Sequence, residues 1–127
     1  MVIDTDTLVR FITRDDEEKA QKVRLFFHEH KELILTDLTF AECFWVLKSF
    51  YKYKKDKLVQ IFRMLIDAQS FRCNSALLSL ALDILEQHNV SFIDAYTVAY
   101  TQISSDNKIV SFDKDYDKIK GVKRVEP

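Results

Sequence analysis

The sequence predicts an α/β domain with a mainly parallel sheet covered by helices on both faces. Two observations carry this. Short apolar runs alternate with longer stretches of helical period, and strand–helix alternation is the signature of parallel pairing. The 127 residues contain one glycine, Gly121, and one proline, Pro127. So few turn formers argue against an all-β fold, whose tight turns consume Gly and Asn-Gly pairs. They also exclude Gly-rich phosphate loops, which need several glycines to let the backbone approach phosphate.

The elements follow in order. Val2-Ile3 is a short apolar run ending at Asp4, read as a first strand. Residues 5–12 read as a helix, with Leu8, Val9, Phe11 and Ile12 on one side. Asp15-Asp16-Glu17-Glu18 opens the next helix with charges that suit its positive end. Its apolar stripe is Ala20, Val23, Phe26 and Phe27. Leu33-Ile34-Leu35 is a buried strand candidate. Residues 36–50 form a strongly apolar helix. Residues 55–68 form another, with Leu58, Ile61, Phe62 and Leu65 in register. Phe71-Arg72-Cys73 reads as a strand or edge segment. Residues 75–88 are helical, with Leu77, Leu78, Ala81, Leu82 and Leu85 facing inward, and 92–103 form the last long helix. Residues 108–112 and 122–125 are the final strands.

The length suits one domain, residues 1–127. At 47% hydrophobic the chain can build a core without staples. Nineteen basic residues against 20 acidic ones give net −1, so any footprint for nucleic acid must be local. Cys43 and Cys73 lack metal-like spacing and read as reduced core residues of a cytoplasmic protein. No apolar run is long enough to span a membrane, and no basic-then-apolar start resembles a signal peptide.

Four carboxylates interrupt apolar sequence: Asp4 in Met-Val-Ile-Asp, Glu42 in Phe-Ala-Glu-Cys-Phe-Trp, Asp94 in Ser-Phe-Ile-Asp-Ala-Tyr and Asp113 in Ile-Val-Ser-Phe-Asp. An ionised carboxylate beside a core is costly without a compensating charge, and a shared divalent cation is one compensator. Ligands of open α/β sheets bind outside the carboxyl ends of the strands. Asp4 and Asp113 fall at predicted strand ends, Glu42 and Asp94 in first turns of helices. Each also has an ordinary reading. Thr39-Phe-Ala-Glu42 and Ser91-Phe-Ile-Asp94 match the capping box. Asp4 fits an N-cap and Asp113 a turn residue.

The segment Lys48-Ser-Phe-Tyr-Lys-Tyr-Lys-Lys55 mixes cations with rings. It suits single-stranded nucleic acid, with phosphates on lysines and bases on Phe50, Tyr51 or Tyr53. It equally suits a solvated helix end. Arg10 and Arg14 could extend a basic rim or lie idle on the surface. His28, His30 and His88 fall at helix ends and read as partners of the helix dipole. Cys43 beside Glu42 is a poor nucleophile, because a neighbouring carboxylate raises a thiol pKa.

The opening Ile-Asp-Thr-Asp-Thr-Leu-Val-Arg-Phe-Ile-Thr-Arg-Asp-Asp resembles the start of PIN-domain proteins, especially VapC-type toxins of toxin–antitoxin pairs. The Glu42 helix, Phe-Ile-Asp94-Ala and Ile-Val-Ser-Phe-Asp113-Lys-Asp-Tyr match the family's other acidic motifs, in order. The resemblance covers essentially the whole chain. It implies a three-layer αβα sandwich and metal-dependent cleavage of RNA. It also implies a homodimer held inactive by a small antitoxin whose tail crosses the acidic site. Asp6 departs from the family, which more often has Asn or Ser there.

On that resemblance Asp4, Glu42, Asp94 and Asp113 are the catalytic set. Asp4, Asp94 and Asp113 would bind Mg²⁺ or Mn²⁺, with Glu42, Asp6 and Asp115 as further candidate ligands. Glu42 would complete the shell or orient the attacking water. Arg10, Arg14, Lys48, Lys52, Lys54 and Lys55 would hold the RNA backbone. Two other readings stay open. Asp4-Thr-Asp6-Thr7 also resembles the opening of haloacid-dehalogenase-like phosphatases, with Asp4 as nucleophile and Asp6 as acid/base. The later Gly-Asp pair of those enzymes has no counterpart, since Gly121 is the sole glycine. Alternatively the acids only cap helices, and Phe26, Phe27, Phe50 and the Trp45 helix serve a non-catalytic protein interface.

Overall fold

The computed structural model describes residues 1–127, which form two compact units, Met1–Ser75 and Ala76–Pro127. The first holds α1 (Thr5–Thr13), α2 (Glu17–Glu29), β1 (Leu33–Ile34), α3 (Asp37–Ser49), α4 (Lys55–Asp67) and β2 (Phe71–Arg72). The second holds nearly all of α5 (Ser75–Gln87), then α6 (Phe92–Ile103), β3 (Lys108–Val110), a 3₁₀ turn (Lys114–Lys118) and β4 (Lys123–Val125).

Strand pairing is parallel in both units. Leu33 lies opposite Phe71 and Ile34 opposite Arg72. In the second unit Lys108, Ile109 and Val110 face Lys123, Arg124 and Val125. The α/β class holds, with the strands in two two-stranded ladders. The expected first strand is reduced to a parallel bridge between Val2 and Ile34. Ile3 donates to the Ile34 carbonyl at 2.9 Å, and Ile34 donates back to Met1 at 2.8 Å. Asp4 then caps α1 at once, so the ladder has no room to lengthen. The strand expected over 108–112 ends at Val110. After Ser111 pairs with the Val125 carbonyl, its hydroxyl accepts from the Asp113 N–H at 2.9 Å and turns the chain.

The helical stripes bury largely as their spacing demands. Leu8, Leu58, Phe62 and Leu65 are buried in the first unit. Leu77, Leu78, Ala81, Leu82 and Leu85 are all buried on α5. The centre of the first unit is aromatic: Phe62 lies 4.5 Å from Phe40 and 5.3 Å from Phe44, ring to ring. Two aromatic expectations are corrected on α2. Phe27 is core, with edge contacts to Phe11 and Phe71 at 5.0 and 5.1 Å, so it offers nothing to an interface. Phe26, one residue round the helix, points outward and stacks on His30 at 4.0 Å.

Tight turns survive the glycine shortage because other residues take the left-handed conformation. Arg14, Glu32, Lys52 and Asn107 have φ between 53° and 62°. Such a conformation costs a non-glycine residue roughly 1–2 kcal/mol. Gly121 sits at φ 85°, where a Cβ would also meet the Gln102 amide at 3.0 Å.

The Phe62 cluster predicts a large truncation penalty. Phe62→Ala should lower unfolding free energy by about 3–5 kcal/mol in urea denaturation. A loss below about 1 kcal/mol would show that this ring is not central to the core.

Candidate active site

The first unit links Asp4 and Glu42 through polar contacts from one short segment. Asp4 caps α1 by accepting from the Thr7 N–H at 2.9 Å. Hydrogen bonds from Thr7, side chain first and then backbone, hold its carboxyl below the ordinary value. The next residue, Thr5, donates its hydroxyl to Glu42 Oε2 at 2.7 Å. The buried Thr39 hydroxyl donates to the Ile3 carbonyl at 3.3 Å, tying the same segment to α3 one turn before Glu42.

Asp6 points elsewhere. Its carboxylate lies 3.4 Å from Arg10 Nε, and Arg10 Nη1 also donates to Asp15 at 3.3 Å. Asp15 accepts from the Tyr51 hydroxyl at 2.6 Å, which holds the Asp15 carboxyl low. Asp6, Arg10, Asp15 and Tyr51 therefore form one chain of contacts. It links the start of α1 to the α3–α4 turn.

The second unit joins Asp94 and Asp113 through Tyr116. Asp94 lies in the first turn of α6, half-buried, and Asp113 caps the 3₁₀ turn by accepting from the Asp115 N–H at 2.9 Å. Tyr116, on that turn and nearly buried, donates its hydroxyl to Asp94 Oδ1 at 2.9 Å. Burial first, then this hydrogen bond and the charges of Asp94 and Asp113, push the Tyr116 phenol up to about 12. Asp115 turns aside to Lys118 at 3.3 Å. The turn is fastened to β4 by Arg124, which is bidentate to Asp117 at 3.0 and 3.2 Å and also reaches the Ser111 carbonyl.

These positions correct the premise that the four acids are costly core charges. Asp4, Glu42 and Asp113 are exposed and Asp94 is only half-buried. Asp4, Asp94 and Asp113 lie at helix or 3₁₀ starts, where water and unsatisfied N–H groups already stabilise a carboxylate. Glu42, expected in a first turn, lies in the second turn of α3 because that helix begins at Asp37. The capping boxes are corrected too. Thr36, not Thr39, caps α3, accepting from the Thr39 N–H at 3.2 Å. Ser91 does cap α6, accepting from the Asp94 N–H at 3.1 Å, but the Asp94 carboxylate goes to Tyr116. Capping therefore leaves both Glu42 and Asp94 available for other chemistry.

All the candidate ligands are carboxylates, the oxygen donors that hard Mg²⁺ and Mn²⁺ take. The donor chemistry fits. The structure forms no group of three or more Asp, Glu, His or Cys side chains arranged to hold a metal ion. The Cys43 thiol is pushed up to about 12 by burial and then by Glu42, so it is no nucleophile. Among the expected RNA-holding residues, Arg14, Lys48, Lys52 and Lys54 are exposed and Lys55 is half-buried, whereas Arg10 is already paired with two acids. Of the neighbouring rings, Phe50 is 77% exposed. Tyr51 is held by Asp15, and Lys57 Nζ sits 4.1 Å from the centre of the Tyr53 ring.

Sequence reasoning gave no role to Thr5 or Tyr116, and read Tyr51 as a ring for bases rather than the partner of Asp15. The acidic partners of Thr5, Tyr51 and Tyr116 lie 37, 36 and 22 residues away, so no local pattern announces them.

No curated protein matches this chain. The PIN domain family matches it over residues 1–122. PIN domains are generally metal-dependent nucleases, which supports a nuclease activity here and leaves the haloacid-dehalogenase-like reading without support. With the family match spanning almost the whole sequence, the chain belongs to the PIN domain family.

Proposed function

We propose that this chain is a Mg²⁺- or Mn²⁺-dependent endoribonuclease and the toxin of a type II toxin–antitoxin pair, similar to VapC-type proteins. The observation that carries the nuclease reading is the PIN match over a chain whose Asp4, Glu42, Asp94 and Asp113 all keep access to solvent. The fold we assign is the three-layer αβα sandwich that the resemblance implies, with Asp4, Glu42, Asp94 and Asp113 as its acidic set. Asp4, Asp94 and Asp113 would hold the cation. A bound Mg²⁺ or Mn²⁺ supplies water activation and neutralises charge growing on the phosphate. Glu42, oriented by Thr5, would align the attacking water and accept its proton.

The substrate we assign is RNA with a single-stranded segment. Lys48, Lys52, Lys54, Lys55 and Lys57 stand together with Asp56 as the one acid among residues 48–57, in a chain of net −1. Exposed Phe50 beside them offers a face for one unpaired base. Asp6 and Arg10 neutralise each other, so neither is assigned to metal or phosphate. For the antitoxin and the homodimer the supporting features are apolar. Phe11, Ile12, Ile61, Met64 and Phe71 help line a recess of about 380 Å³ in the first unit, suited to an amphipathic segment. Leu38 and Trp45 share one exposed face of α3, suited to self-association.

Cleavage of a labelled RNA should require Mg²⁺ or Mn²⁺, stop with EDTA, and fall at least about 100-fold in Asp94→Asn. Equal cleavage under all these conditions would refute the nuclease. Replacing Lys52 and Lys54 by Ala should weaken single-stranded RNA binding and flatten its log–log salt dependence by about 0.7 for each phosphate that is no longer neutralised. An unchanged salt slope would remove this segment from the RNA path.

A further inference from the structure

Tyr116 closes the last acidic motif but is given no role when that motif is read from sequence, and the structure joins it to two of the acids. Its ring is nearly buried, and its hydroxyl ends 2.9 Å from Asp94 Oδ1. Its backbone belongs to the 3₁₀ turn that Asp113 caps, with the Tyr116 N–H directed to the Asp113 carbonyl at 3.4 Å. Arg124 anchors that turn to β4 through Asp117. One rigid ring thus spans from the Asp113 turn to the first turn of α6.

A carboxylate on a helix surface samples several rotamers. A phenol donor on one oxygen selects among them and leaves the other oxygen free to bind. Outer donors of this kind fix the orientation of metal-binding carboxylates, and their removal typically weakens metal affinity or activity by about 10–100-fold. Phenylalanine would fill the same core volume but could not orient Asp94. The single oxygen therefore has a role that packing alone does not supply.

We propose that Tyr116 is a positioning residue for the divalent cation: it holds Asp94 through Oδ1 and leaves Oδ2 for the ion that Asp94 and Asp113 would bind. This rests on the metal-nuclease reading above. The test is Mn²⁺ binding to metal-free protein, followed by the decline of the free-ion paramagnetic resonance signal, in wild type and Tyr116→Phe. Wild type is expected to take up Mn²⁺ and Tyr116→Phe to bind it about tenfold more weakly. The urea midpoints of the two metal-free proteins show whether the variant is folded. Mg²⁺ addition to wild type is also expected to give a tyrosine ultraviolet difference spectrum that Tyr116→Phe lacks, a signature a merely structural ring would not produce. Wild-type binding matched by an equally tight Tyr116→Phe would overturn the positioning role and leave the nuclease reading intact. Absence of Mn²⁺ uptake by wild type would overturn both. A variant that is less stable while keeping Mn²⁺ affinity would make Tyr116 a packing residue only, against the proposal.

Discussion

Parallel pairing governs where chemistry can sit in this chain. Two parallel strands cannot be joined by a tight hairpin, so the chain must cross back through helix before pairing again. Between the Val2 bridge and β1 the return is α1 and α2. Between β1 and β2 it is α3 and α4. The ends of β1, β2 and β3 are therefore also approaches to a helix or 3₁₀ start, with its unsatisfied N–H groups. Asp4 and Asp113 occupy such junctions as caps, and Asp94 stands in the first turn of α6. The acids gain local stabilisation there without being buried, which leaves carboxylate oxygens facing solvent.

Within each unit a hydroxyl organises a pair of acids. Thr5 follows Asp4 and donates to Glu42; Tyr116 rises from the turn capped by Asp113 and donates to Asp94. The remaining acids near these sites are drawn off by cations: Asp6 by Arg10, Asp115 by Lys118, Asp117 by Arg124. Surface ion pairs of this kind add little stability. Asp4, Glu42, Asp94 and Asp113 are instead held by neutral donors, which leaves their charge uncompensated.

Much of this is legible in the sequence. Helical period places α5 and α6 closely, since Leu77, Leu78, Ala81, Leu82 and Leu85 repeat on one face and all are buried. The acids stand out because they interrupt apolar runs, although burial is not what sets them apart. Helix starts abut the core without lying inside it. Strands are shorter than their apolar runs suggest, because a cap residue such as Asp4 ends a strand whatever precedes it. Thr36 displaces Thr39 as the α3 cap because capping depends on where the backbone enters the helix, which residue identity alone leaves open. The outward Phe26 and the Thr5–Glu42, Tyr51–Asp15 and Tyr116–Asp94 contacts depend on tertiary placement and carry no local signature.

The proposed metal chemistry stands or falls on whether Asp4, Asp94 and Asp113 hold a cation. Crystals grown or soaked in Mn²⁺, measured for anomalous scattering, test this directly. The expected result is a strong anomalous peak within coordination distance of Asp4, Asp94 and Asp113. A protein with no such peak at millimolar Mn²⁺, or with Mn²⁺ held only by other residues, would contradict it.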